Sequence, residues 1–267
     1  MGNAKTLKNH IVQWIMDYFE DNGKDCYAVV GISGGKDSSV VAALCAEALG
    51  KDRVIGVLMP NDEQSDIEDS HRVVDALGIK SVEINVGGAY SMMLSEGSHE
   101  LPISKQAEVN LAPRLRMAAL YMVAQSLEHG GRVANTCNYS EDYVGYSTKY
   151  GDSAGDFSPL SGLFVSEVVA VGHELPIPAD LVDKTPSDGL CGKSDESNLG
   201  FTYAQLEKYI VDGSCGDREI DKKICNLHYK NLHKITPMPY FKKQLPLEGF
   251  EATGLRSTLN RTFTGEW

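Results

Sequence analysis

Gly31-Ile32-Ser33-Gly34-Gly35-Lys36-Asp37-Ser38-Ser39 joins an apolar run, Cys26–Ile32, to an Ala-rich helical run, Ser38–Leu49, that Gly50 stops. Glycines let a backbone come close to a phosphate, and the N–H groups of a turn that opens a helix form a cradle for anions. Lys36 adds a positive charge to that cradle, and the hydroxyls of Ser33, Ser38 and Ser39 add donors. Asp37 is the discordant member, because a carboxylate beside a phosphate makes sense chiefly when Mg²⁺ lies between them.

Outward from this turn, short apolar runs alternate with helical ones. Thr6–Asn22 carries apolar residues at Leu7, Ile11, Trp14, Ile15, Tyr18 and Phe19, a helical stripe that Gly23 ends. Val54–Met59 and Ser81–Val86 read as strands around a helix over Glu63–Leu77. Ser104–His129 is the longest helical run and contains Pro113, which predicts an early break. Arg132–Ala134 reads as a short strand and Glu141–Thr148 as a helix. The alternation predicts an α/β fold, an open and mostly parallel sheet with helices on both faces. Ligands of such sheets sit beyond the carboxyl ends of the strands, here the residues after Ile32, Met59, Val86 and Ala134. Past Gly151 the chain turns to Pro- and Gly-rich loops with short helices at Phe164–His173, Tyr203–Val211 and Arg218–Tyr229. No linker separates this part, so 1–267 reads as a single domain: a nucleotide-binding core over 24–150 and a loop-rich helical extension over 151–267.

The balance of 25 Lys and Arg against 37 Asp and Glu leaves a net charge of −12, which weighs against a chain that holds nucleic acid by its phosphates. Apolar runs such as Tyr27–Ile32 and Val54–Met59 fall far short of the roughly 20 residues of a membrane span. Met1–His10 is polar, without an apolar signal core, and the expected location is the cytoplasm. None of the six cysteines forms a C-x-x-C pair, so free thiols are expected. Cys215, Cys225, His228 and His233 lie close together in sequence, but a spacing of ten positions from Cys215 to Cys225 is wrong for zinc, and a packed helix is the favoured reading.

Three motifs compete for the glycine turn. A Walker A loop fails twice, at Val30 in place of the first glycine and at Asp37 after the lysine. A nucleophile elbow matches Gly31-Ile32-Ser33-Gly34-Gly35, but that fold places several strands before its nucleophile, and only a helix precedes Gly31. Ser33-Gly34-Gly35-Lys36-Asp37-Ser38 resembles, without a mismatch, the S-G-G-x-D-S pyrophosphate loop of the ATP pyrophosphatases. Enzymes with that loop split ATP between the α- and β-phosphates. They include synthetase domains that make GMP, asparagine and argininosuccinate, the tRNA thiolases, and NAD synthetase. Thr136-Cys137-Asn138-Tyr139-Ser140-Glu141, Thr148-Lys149-Tyr150-Gly151-Asp152 and Asp156-Phe157-Ser158-Pro159-Leu160 resemble the central block of the NAD synthetase family. So do Pro178-Ala179-Asp180-Leu181, Lys184-Thr185-Pro186-Ser187-Asp188-Gly189-Leu190 and Ser194-Asp195-Glu196, with His233-Lys234 near the end.

The resemblance implies the adenine nucleotide alpha hydrolase-like fold, with Gly31, Ile32, Ser33, Gly34, Gly35, Lys36, Asp37 and Ser38 on the ATP phosphates. It implies that Arg116, Thr136 and Ser187 help hold ATP, and that Asp37 and Glu141 ligate Mg²⁺. Arg114, Lys149, Asp156, His233 and Lys234 are then the contacts of deamido-NAD, and Ser33, Lys36 and Asp37 the catalytic residues. Two positions depart from the pattern: Val165 stands where many members place an ATP-contacting Lys, and Ile235 where an Arg often follows His-Lys. Without the resemblance, Glu141 also reads as a helix-start carboxylate, and Lys149, Asp152 and Asp156 as solvated charges.

The expected activity is ATP-dependent amidation of deamido-NAD by ammonia, through an adenylate, giving NAD⁺, AMP and pyrophosphate. Other adenylating enzymes, a GMP-synthetase-like amidase or a thiolase, and a non-catalytic nucleotide-binding module are the alternatives. The chain is too short to add a glutamine-hydrolysing domain, so ammonia is the expected donor. Gly151–Asn198 is the candidate lid over a water-sensitive intermediate. The resemblance further implies a homodimer, compatible with surplus apolar residues on Ser104–His129, which a central core helix would equally explain.

Overall fold

Two strands form where β-branched and small apolar residues run together, β1 (Tyr27–Gly31) and β2 (Val54–Leu58), and the short, more polar β3 (Lys80–Glu83) and β4 (Gly131–Val133) pair along their outer edges. These come from a computed structural model that describes residues 4–64, 67–184 and 195–241. Among the described residues the strands make one parallel sheet in the order β3-β2-β1-β4, with Val29 of β1 opposite both Ile55 and Val133. The chain steps outward from β1 to β3 and then crosses to the far side of β1 to add β4. This reversal opens a crevice beyond the carboxyl ends of β1 and β4, the place where open α/β sheets bind ligands.

Both faces of the sheet are covered. Residues alternate along β1, with Ala28, Val30 and Ile32 entering one core and Val29 the other. The first core takes Ile11, Ile15 and Phe19 from α1 (Ala4–Asn22), Val40, Val41 and Leu44 from α2 (Lys36–Leu49), and Val73 and Val74 from α3 (Ile67–Leu77). The second packs Met117, Leu120 and Ala124 of α5 (Lys105–Ser126) on Val29, Val57 and Val133. Before α5 comes α4 (Gly87–Glu100), and after β4 come the short helices α6 (Tyr139–Val144), α7 (Val165–Gly172), α8 (Ala179–Val182) and α9 (Asp195–Leu199). The last two, α10 (Tyr203–Asp212) and α11 (Arg218–Ile235), build a third cluster in which Leu206 and Ile224 meet Val144 and Val165.

Several boundaries differ from the sequence reading. Pro113 does not break α5, because burial of Ala112, Met117 and Leu120 outweighs a lost hydrogen bond of roughly 3 kcal/mol. The loop at Thr148–Gly151 docks on that proline, and a Cβ on Gly151 would lie 2.9 Å from Pro113 Cβ. Helix α4 left no sequence signal: it opens on Gly87-Gly88 and leaves Met92 and Met93 exposed. Helix α6 starts two residues early, capped by Asn138, and stops at Gly145 in the left-handed conformation (φ 63°). Helix α11 continues to Ile235.

Most of the expected lid is wall. Phe157, Leu160, Leu163, Val168, Val171, Leu175 and Leu181 all lie in the first core, so Phe157–Leu181 has no freedom to open. Residues 185–194, with Ser187 and Cys191, lie outside the described residues. The chain divides into two compact units, Met1–Thr236 and Pro237–Trp267, and in the second 237–241 carry neither helix nor strand. No described helix is long and apolar enough to cross a membrane.

Candidate active site

The glycine turn leaves β1 at Gly31 and enters α2 at Lys36. Gly34 has φ +76°, and a Cβ there would stand 2.7 Å from Asp69 Cβ and 2.9 Å from the Ser70 nitrogen, so the turn needs glycine on two counts. The hydroxyls knit the turn together. Ser38 Oγ donates to Gly35 O (3.2 Å), accepts from Ser33 N (3.2 Å) and lies 3.0 Å from Ser33 Oγ, while Ser39 Oγ donates to Gly35 O (2.7 Å). Helix α2 opens with no side chain capping its first N–H groups, which leaves that end to an anion.

Across the crevice the loop after β4 supplies the second half. Asn138 Nδ2 donates to Asp37 Oδ1 (3.1 Å), and Asn138 Oδ1 accepts from the Glu141 N–H (3.1 Å). Lys36 donates to Asp37 Oδ2 at 2.7 Å and is buried. Burial works against the Lys36 ammonium, but Asp37, Glu141 and Asp195 outweigh it and hold its pKa above the ordinary lysine value. Burial first, and then the charge of Asp37, push the Glu141 carboxyl well above the usual carboxylate range. Tyr203, whose hydroxyl donates to Asp195 Oδ2 at 3.4 Å, is raised by burial and by Glu141, Asp195 and Asp37. Two half-buried carboxylates whose charges oppose each other call for a cation, and their oxygens suit a hard divalent one, so Asp37 and Glu141 fit Mg²⁺.

The other expected residues form a second group. Arg116 Nε donates to Met59 O (3.0 Å) just past β2, and Thr136 sits half-buried in the loop after β4. Arg114 Nε donates to Lys149 O (3.2 Å), and Lys149 Nζ donates to His233 O. Lys234 Nζ donates to Gly145 O (2.8 Å) and Ser147 O (2.9 Å). Burial lowers the Lys234 pKa. Asp156 accepts from the Val133 N–H (2.7 Å) and the Tyr121 hydroxyl (3.2 Å), so both oxygens serve the fold as well as facing outward. With Lys234 and Ile235, Asp156 lines a cavity of about 340 Å³ that Asn135, Asp142, Ser158 and Ser161 complete.

Asn138, Asp195 and Tyr203 were not singled out from the sequence. Asn138 and Asp195 lie inside motifs that carried the resemblance, and that was the available signal. Cys215, Cys225, His228 and His233 do not gather: the His228 ring stacks on Tyr143, and no group of three metal-binding side chains exists among the described residues.

Residues 7–246 match the family model for NAD synthase. The chain belongs to the NAD synthase family. It is 35% identical over 243 residues to an NH(3)-dependent NAD(+) synthetase of Pyrococcus furiosus, covering 89% of this chain and 93% of that one. An NMN synthetase structure from Francisella tularensis superposes with a TM-score of 0.80 at 30% identity, over 90% of this chain and all of that one. The NH3-dependent NAD synthetase of Campylobacter jejuni gives 0.72 at 25% identity, over 90% of this chain and 99% of that one. The family fold is the one observed, and the family activity, ammonia-dependent NAD synthesis, makes the chain a ligase that forms a carbon–nitrogen bond.

Proposed function

We propose that the crevice between β1 and β4 carries out the family reaction in two steps on this chain's own residues. The carboxylate of the nicotinate moiety of deamido-NAD attacks the α-phosphorus of ATP. The bond from that phosphorus to the bridging oxygen breaks, and pyrophosphate leaves into the Gly31–Ser38 turn, toward the uncapped N–H groups at the start of α2 and the hydroxyls of Ser33 and Ser38. Lys36 neutralises charge growing on the leaving group, where such sites gain most of their rate. Arg116, Thr136 and Ser187 hold the nucleotide. Asp37 and Glu141 would hold Mg²⁺, which when bound supplies further neutralisation of the departing diphosphate. Ammonia then adds to the adenylated carbonyl carbon, sheds a proton and expels AMP, leaving the amide of NAD⁺. Asp156 and Lys234, which line the 340 Å³ cavity, hold the acceptor together with Arg114, Lys149 and His233.

The observation that carries this reading is the contact of Asp37 with Asn138, because it joins the phosphate turn to the Glu141 helix across the reversal of strand order. Protein, Mg²⁺-ATP, deamido-NAD and ammonium should give AMP and NAD⁺ in equal amounts, and xanthosine monophosphate in place of deamido-NAD should give neither. AMP without NAD⁺ would refute the assignment. The likeness to the Francisella NMN synthetase favours a second acceptor, the deamido mononucleotide, and the same assay with that compound ranks the two.

The reading includes a homodimer of one catalytic domain, located in the cytoplasm and holding neither nucleic acid nor membrane. Met92, Met93, Leu101 and Met122 are all more than half exposed on α4, α5 and the turn between them, an apolar surface suited to a second copy. Sedimentation as a monomer at micromolar concentration would remove this part of the reading.

A further inference from the structure

Lys36 is 4% exposed, and lysine is almost never so buried unless its charge is matched. It begins an unbroken line of contacts: Lys36 Nζ to Asp37 Oδ2 at 2.7 Å, Asn138 Nδ2 to Asp37 Oδ1 at 3.1 Å, and the Glu141 N–H to Asn138 Oδ1 at 3.1 Å. The charges of Glu141 and Asp195 also act on its ammonium. The position where the family pattern leads one to expect a lysine, Val165, instead packs with Tyr203 and Leu206 in an apolar cluster beside this line. The positive charge therefore enters from the phosphate turn itself, directly against a carboxylate expected to bind metal.

We infer that Lys36 and the divalent cation share Asp37 and Glu141 by exchange. Before metal arrives, Lys36 neutralises the pair. Once metal holds the carboxylates, the ammonium is released toward the diphosphate. The inference rests on the reading of Asp37 and Glu141 as metal ligands. It has two consequences. Lys36 weakens metal binding to the ligand-free protein, because a cation must be displaced. Metal loading and diphosphate binding reinforce each other, because one frees the group that the other uses.

The test uses the full chain with Mn²⁺ and inorganic pyrophosphate as probes, read by calorimetry and by thermal melting. Lys36→Met and Lys36→Gln should melt below wild type without metal and recover the difference on Mn²⁺ addition. They should bind Mn²⁺ about tenfold more tightly than wild type, whereas Lys36→Arg should follow wild type. In both neutral variants pyrophosphate should lose most of the gain in affinity that Mn²⁺ gives it in wild type. Unchanged Mn²⁺ affinity in both neutral variants would overturn the exchange, as would a melting loss that Mn²⁺ does not restore or a failure of both to fold with Mn²⁺ present. Equal Mn²⁺ affinity in wild type and Asp37→Asn would instead overturn the metal-site reading beneath it.

Discussion

Two groups of charged residues proposed to serve one reaction are built differently. Around the phosphate turn, Lys36, Asp37, Asn138 and Glu141 are linked by hydrogen bonds, with Lys36 and Asn138 buried, and sit at the starts of two helices. On the acceptor side, Lys149, Lys234 and Arg114 spend their hydrogen bonds on backbone carbonyls of His233, Gly145, Ser147 and Lys149. The first group sets one ammonium against two carboxylates within a chain of hydrogen bonds. In the second, cations rest on neutral carbonyls, with Asp152 acting on Lys234 from a distance. Under the proposed function, transition-state work falls to the first group and ground-state binding to the second.

The largest effect is expected at Asp37. Asp37→Asn should lower kcat/KM by about 3 kcal/mol of transition-state stabilisation or more while the protein stays folded, as pyrophosphate release and circular dichroism would show. A loss confined to the acceptor KM would erase the contrast. Next comes Gly145→Ala, which strains a φ of 63° and drives a methyl to 2.3 Å from Asn231 Cβ. It should cost about 2 kcal/mol in urea unfolding and raise the acceptor KM, because Gly145 O holds Lys234. Lys149→Ala should raise the acceptor KM about tenfold with kcat nearly unchanged.

The smallest expected effect is a pH dependence. Burial holds Lys234 below the ordinary value of 10.5, so its charged form is disfavoured in the folded chain. The resulting penalty on stability is full below the lowered pKa and is lifted as pH rises from that value to 10.5. Over the same window the site loses a positive charge. The acceptor KM should therefore climb a few-fold at alkaline pH, and Lys234→Arg should flatten that climb.

The two central strands and the phosphate turn were legible because both write themselves locally: runs of Val and Ile near Gly, and glycines at a strand-to-helix joint. Helix α4 was not, since two opening glycines and an exposed Met pair defeat propensity and pattern together. A lysine in a glycine loop reads as solvated, and nothing short of the tertiary packing shows Lys36 enclosed. Asn138 and Asp195 meet the turn only through long-range contacts. At Pro113 the local rule was plain and still failed, because core packing on its flanks overrode it.

Asp37 and Asn138 stand 101 residues apart in the chain yet hydrogen-bond in the folded molecule. A nascent polypeptide that has emerged from the ribosome only as far as β3 therefore exposes the glycine turn without its counterpart. ATP met at that stage finds half a clasp, and the other half comes only when β4 pairs with β1 and carries Asn138 to Asp37.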